Sequence, residues 1–151
     1  MVIESLTECD FTELGVVLSL PNNNRMGDDR FSYWKEIAVF TLGTLTNGLL
    51  RVAPRDKVVT ELERHSGTPE LLTVLSGTGV VTLAAPGESP EGRVRSIRIR
   101  QGDSFALDTG TWHGLVIPEG DQEMVLLVQF KQGTEDTDID FFELKKPIRI
   151  D

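Results

Sequence analysis

From residue 36 to residue 130 the chain is cut by turn signals into short apolar runs, none long enough for an ordinary helix. The runs are Glu36–Leu42, Gly48–Ala53, Val58–His65, Leu71–Leu75, Gly79–Ala84, Val94–Arg100, Ser104–Leu107, Gly114–Ile117 and Met124–Phe130. Between them lie Thr46-Asn-Gly48, Ser66-Gly-Thr-Pro69, Ser76-Gly77, the Pro-, Gly- and Glu-rich stretch 86–92, Gln101-Gly-Asp103 and Pro118-Glu-Gly120. Many short strands closed by such turns predict an all-β sandwich or barrel. In Val94–Arg100 the arginines alternate with apolar residues, with a phase slip near Ser96, and read as a solvent-facing row.

With 151 residues the chain suits one domain. Its division is expected to be an N-terminal arm and loop over 1–35, followed by a barrel with a C-terminal tail over 36–151. The signals Pro21-Asn-Asn-Asn24 and Gly27-Asp-Asp29 mark the loop, and Phe141-Phe142-Glu-Leu144 offers an apolar anchor that could dock as a short helix or strand. A single cysteine, Cys9, excludes an internal disulfide and a cysteine-built metal cage. The net charge of −9, with no aromatic-interleaved basic surface, argues against a nucleic-acid partner. Apolar runs such as Met124–Val128 are too short to span a bilayer, so no membrane partner is expected. Because the first residues carry no basic start followed by an apolar stretch, the expected location is the cytoplasm.

The chain has only two histidines, His65 and His113, and each sits in a strand-like segment beside a turn. Side chains two apart on a strand share a face, so Glu63 points with His65, and Glu61 with both. The turn at Ser66–Pro69 sets Glu70 at the head of the next strand. If His113 arrives on a neighbouring strand, Glu63, His65, Glu70 and His113 converge as two imidazoles and two carboxylates. Such a mixed nitrogen and oxygen set suits a divalent metal, with Mn, Ni, Zn or Fe as the candidates.

These segments resemble the paired motifs of the cupin superfamily. The first reads Glu63-x-His65, four residues, Glu70, six residues, Gly77; the second reads Gly102, five residues, Asp108-x-Gly110, two residues, His113. Glu63 stands for the first histidine of that pattern, Asp108 for its proline and Ile117 for its terminal asparagine. The resemblance implies a single-domain cupin, a double-stranded β-helix or jelly-roll barrel, which commonly forms a homodimer.

Within cupins, Glu61-Leu-Glu-Arg-His65 and Gly110-Thr-Trp-His113 resemble the ureidoglycolate lyase family (ureidoglycolate hydrolase) of purine catabolism. The resemblance runs from about Arg51 to Leu144. Glu70 stands where that family usually has glutamine, and Gly114-Leu115 where its Trp-His pair is followed by His-Pro. This implies a lyase on a small-molecule carboxylate, splitting ureidoglycolate to glyoxylate and urea. His65, His113, Glu63 and Glu70 would be its metal ligands or its acid and base. Arg51 or Lys131 could hold the substrate carboxylate through a charge-assisted pair, and Trp112 could wall the pocket. A non-catalytic small-ligand-binding cupin, or another metal-dependent cupin enzyme such as an isomerase or dioxygenase, fits the same residues.

Overall fold

The computed structural model describes all 151 residues. In chain order its strands are β1 (Ile3–Ser5), β2 (Gly15–Val17), β3 (Arg25–Gly27), β4 (Ser32–Trp34), β5 (Leu45–Val52), β6 (Val58–Arg64), β7 (Glu70–Ser76) and β8 (Thr78–Ala84). They continue as β9 (Arg95–Arg100), β10 (Ser104–Leu107), β11 (Trp112–His113), β12 (Ile117–Pro118), β13 (Met124–Lys131) and β14 (Asp140–Arg149), with one short helix, α1 (Thr134–Thr137), before the last strand. Two sheets face each other, ordered β1-β9-β8-β11-β6-β14 with β12 also on β8, and β2-β10-β7-β13-β5. Hairpin β3-β4 stands apart. The fold is the all-β jelly roll expected of a cupin. No helix is long and apolar enough to cross a membrane.

The space between the sheets is filled by alternate residues of each strand. Val81 and Leu83 of β8 meet Ile97 and Ile99 of β9, and these face Leu72, Val74, Phe105 and Leu126 of the second sheet. Each such side chain, fully removed from water, contributes roughly 1.5–3 kcal/mol. The other face of the seven-stranded sheet is also covered: Leu62, Val80, Ala84 and Trp112 pack with Leu144 and Ile150. That double coverage explains the phase slip in β9, where Ser96 and Ile97 are both fully buried. It also limits which arginines of that row reach solvent freely. Arg95 pairs with Glu4 of β1 at 2.7 Å and Arg98 with Glu119 at 2.9 Å.

Residues 1–18 reach both sheets, β1 running parallel to β9 and β2 antiparallel to β10. Two local expectations are corrected and a third is met. Glu36–Leu42 is not a strand: it is irregular, Glu36 takes a positive φ of 52°, and Val39 is 78% exposed. Strand-favouring side chains there find no neighbouring edge to pair with. The run placed at Gly114–Ile117 begins earlier, with Trp112–His113 bound to β8, and resumes only at Ile117. Phe141-Phe142 docks as the start of the ten-residue β14, antiparallel to β6.

Candidate metal centre

Glu63 and His113 face each other directly across the β6–β11 ladder, which puts both side chains on one face of the sheet. His65 follows two residues after Glu63 on that same face. Glu70 enters from the opposite sheet as the first residue of β7, inward like Leu72 and Val74 beyond it. The two motif segments are tied by backbone as well, the Gly110 N–H donating to the His65 carbonyl at 2.7 Å. Gly110 holds a φ of 84° to do so, a left-handed conformation that favours glycine.

The four side chains meet at the floor of the barrel. Glu70 Oε2 lies 3.0 Å from His113 Nε2 and 3.5 Å from His65 Nε2, while Glu63 Oε1 lies 3.7 Å from His113 Nδ1. His65, Glu70 and His113 are buried and Glu63 is half-exposed. The two imidazoles sit 5.1 Å apart, tilted by 52°, and Phe130 packs edge-on against His65 at 5.5 Å. The recess beneath them, closed by Thr68, Leu107, Asp108 and Thr111, is too tight for a water molecule.

His65 Nδ1 donates to the Asp138 carbonyl at 2.8 Å, so the neutral ring turns its unprotonated Nε2 toward Glu70. Asp138 is fixed in turn, its carboxylate accepting the Ser66 and Gly67 N–H groups at 2.8 Å each. Burial pulls the His65 pKa down, but the Glu70 carboxylate beside it, the Asp138 carbonyl and the Glu63 charge outweigh it and raise the value to about 9. For Glu70, burial raises the pKa and is overcome by the nearby imidazoles, leaving it below the ordinary 4.5.

The donor set fits a metal ion. Glu63, His65 and His113 offer ligand atoms all within 4.8 Å of one another and could hold one. Glu70 Oε2 and His113 Nε2 approach to 3.0 Å, yet the angles do not make a hydrogen bond and neither atom has another partner. A buried carboxylate and imidazole without hydrogen bonds are costly. Atoms spaced this way match neighbouring ligands of one ion, which stand roughly 3.0 Å apart in an octahedron with bonds of about 2.1 Å and roughly 3.3 Å apart in a tetrahedron. An Nδ1 bond to a backbone carbonyl is also the usual support of a ligating histidine.

Other expected residues lie elsewhere. Arg51 points out of the barrel and pairs with Glu123 at 2.7 Å. Lys131 is exposed at the end of β13 and forms no ion pair. Trp112 does not wall the site: being adjacent to His113 on a strand, it faces the opposite side, where its Nε1–H donates to the Gly87 carbonyl at 2.9 Å and Arg64 stacks on its ring. An open cleft of about 330 Å³ leads to Glu63 and His113, and Arg55, Glu61, Leu115 and Phe141 also line it. Arg55, Phe130 and Asp138 were not singled out from the sequence, and Phe141 was read only as part of an apolar anchor. For Asp138 the acidic tail carried no local signal, since its partner His65 is 73 residues away.

Residues 48–130 match the family model of the cupin domain. No curated protein matches the sequence. Among solved structures, oxalate decarboxylase from Bacillus subtilis at pH 4.6 is 27% identical over 67% of this chain and 24% of that one, with a TM-score of 0.48. A structure describing the substrate binding mode and a reaction specificity switch in oxalate decarboxylase is 22% identical over 71% of this chain and 24% of that one, with a TM-score of 0.46. The chain spans about a quarter of the length of these proteins.

Proposed function

The chain belongs to the cupin domain family, and we propose that it is a metal-dependent lyase acting on a small carboxylate, with ureidoglycolate splitting to glyoxylate and urea as the model reaction. One observation carries the reading. Glu70 Oε2 and His113 Nε2 are buried without a hydrogen-bond partner, and His65 Nε2 lies 3.5 Å from the same carboxylate oxygen, at the foot of a cleft open to a small molecule.

His65, Glu70 and His113 would hold the ion, with Glu63 as the fourth available donor. When bound, a divalent metal supplies Lewis-acid polarisation of a substrate oxygen. Glu63 is the half-exposed member of the four and lines the cleft, so it is placed to take the proton of the substrate hydroxyl. As the carbon–nitrogen bond breaks, the same carboxyl returns that proton to the departing nitrogen. The Asp138 carbonyl keeps the His65 ring in one orientation throughout. The tight floor below excludes water from the buried side.

The test is glyoxylate release from ureidoglycolate by protein loaded with Mn, Ni, Zn or Fe. Turnover at the uncatalysed rate with every metal refutes the reading. We further propose a homodimer paired through the outer face of the five-stranded sheet, supported by Leu45, Leu49 and Leu75, which are 42%, 60% and 45% exposed there. A monomer mass by light scattering at micromolar concentration refutes it.

A further inference from the structure

We infer that the cleft takes a carboxylate bearing an apolar arm, with Arg55 as the anion anchor and Leu115 and Phe141 as the apolar wall. Under the lyase reading above, on which the substrate assignment rests, that compound is an N-acyl-2-hydroxyglycine rather than a ureido acid.

Arg55 sits on the loop between β5 and β6 and is the only arginine or lysine lining the cleft. It forms no ion pair, although Glu61 and Glu63 line the same space. Arg51, four residues earlier, is neutralised by Glu123. An unpaired guanidinium at the entrance to a cleft that ends at His113 offers bidentate hydrogen bonding to a carboxylate.

Part of the cleft wall is apolar and exposed. Leu115 is 49% exposed and Phe141 62% exposed, and both line it. Phe141 is the direct cross-strand partner of Glu63, so an apolar ring stands beside the proposed proton acceptor, next to where the leaving group would form. Urea would leave the Leu115 and Phe141 surfaces uncovered. An aryl or alkyl amide would instead remove both side chains from water. The volume of about 330 Å³ is at the small end for a ligand pocket and suits one ring and a short acid.

The reaction balances without an added reagent. The hydroxyl O–H proton passes to the base, its electron pair forms the aldehyde C=O, the C–N bond breaks, and the nitrogen takes a proton to leave as a primary amide. The products are that amide and glyoxylate.

Two probes test this. Hippurate, which has the carboxylate and the aryl arm but no hydroxyl to react, is titrated calorimetrically into metal-free and metal-loaded protein. N-Benzoyl-2-hydroxyglycine (α-hydroxyhippurate) and ureidoglycolate are compared for glyoxylate release. Arg55→Ala should weaken hippurate binding by about tenfold or more, with partial recovery in Arg55→Lys. Phe141→Ala should weaken hippurate but not glyoxylate binding. The kcat/KM for α-hydroxyhippurate should exceed that for ureidoglycolate by about tenfold or more. Unchanged hippurate binding in Arg55→Ala or in Phe141→Ala overturns the inference, as does equal or better turnover of ureidoglycolate. Hippurate binding that depends on both residues, with no glyoxylate from either compound, supports the anchor and wall and overturns the lyase reading alone.

Discussion

Replacing Glu70 with glutamine keeps the side chain's shape and removes the negative charge held against both imidazoles. In the metal-free protein that charge, with the Asp138 carbonyl and Glu63, raises His65 to about 9 against its ordinary 6.5. The difference corresponds to roughly 3 kcal/mol at about 1.4 kcal/mol per pH unit. Folded His65 therefore keeps its proton where unfolded His65 has lost it. Its contribution to stability is fully present below pH 6.5 and is lost as pH rises through about 9. Glu70 works the other way: its lowered pKa contributes stability above pH 4.5 that is lost as pH falls through its folded value. Metal-free wild type should be most stable between these limits and lose up to about 3 kcal/mol from pH 6.5 to 9. In Glu70→Gln burial acts on His65 with much less opposition, so its pKa should fall sharply and the decline on that alkaline limb should flatten. Imidazole NMR reads the titration directly, because the chain has only two histidines, and denaturant melts across the same pH range read the stability. A His65 pKa that stays near 9 in Glu70→Gln, or a wild-type stability flat from pH 6.5 to 9, refutes the reasoning.

His113→Ala should lose bound metal, measured by elemental analysis after dialysis, whereas Glu63→Gln should keep most of it and lose turnover; loss of metal in Glu63→Gln would make Glu63 a required ligand. Metal affinity should rise with pH up to about 9, because His65 must shed its proton to ligate, and a pH-independent Kd by competition with a chelator would contradict that. Gly114→Ala should cost about 1–3 kcal/mol in denaturant melts, since its new Cβ would lie 2.4 Å from Thr82 Oγ1 and 3.2 Å from Leu62. Adding Thr82→Ala should recover most of that loss, because the buried Thr82 hydroxyl has no hydrogen-bond partner to forfeit. A Gly114→Ala protein as stable as wild type would count against the tight packing.

The strands from β6 to β10 could be read from sequence because each is bounded by turn residues and filled with alternating or continuous apolar residues. The convergence of His65, Glu70 and His113 was legible for a related reason. A short turn after His65 limits where Glu70 can go, and the spacing from Gly102 to His113 brings the second histidine to the same end of the barrel. What could not be read was the side of a sheet covered on both faces. Trp112 and His113 had to point oppositely, but the sequence does not say which face carries the site when both are apolar. Arg51 and Arg55 posed a similar difficulty. They are four residues apart, and only the pairing of β5 with β13 places Arg51 beside Glu123 while Arg55 leaves the strand and enters the cleft. Glu36–Leu42 failed because strand propensity needs a neighbour, which is a non-local fact.

The departures from the lyase pattern at Gly114 and Leu115 have different physical causes. Gly114 lies on the outer side of the seven-stranded sheet, against Thr82, Leu62 and Val59, where a side chain has no room. Its identity answers to packing beneath the sheet and says nothing about the substrate. Leu115 lines the cleft and is half exposed to it, so its identity bears on what the cleft accepts. A leucine there, with Phe141 beside Glu63, gives the cleft an apolar surface that ureidoglycolate has no group to cover. Under the proposed lyase reading, the ligand positions can therefore serve a different nitrogen substituent, because the groups that would hold the ion lie on the barrel floor and those that would select the substrate lie at its mouth.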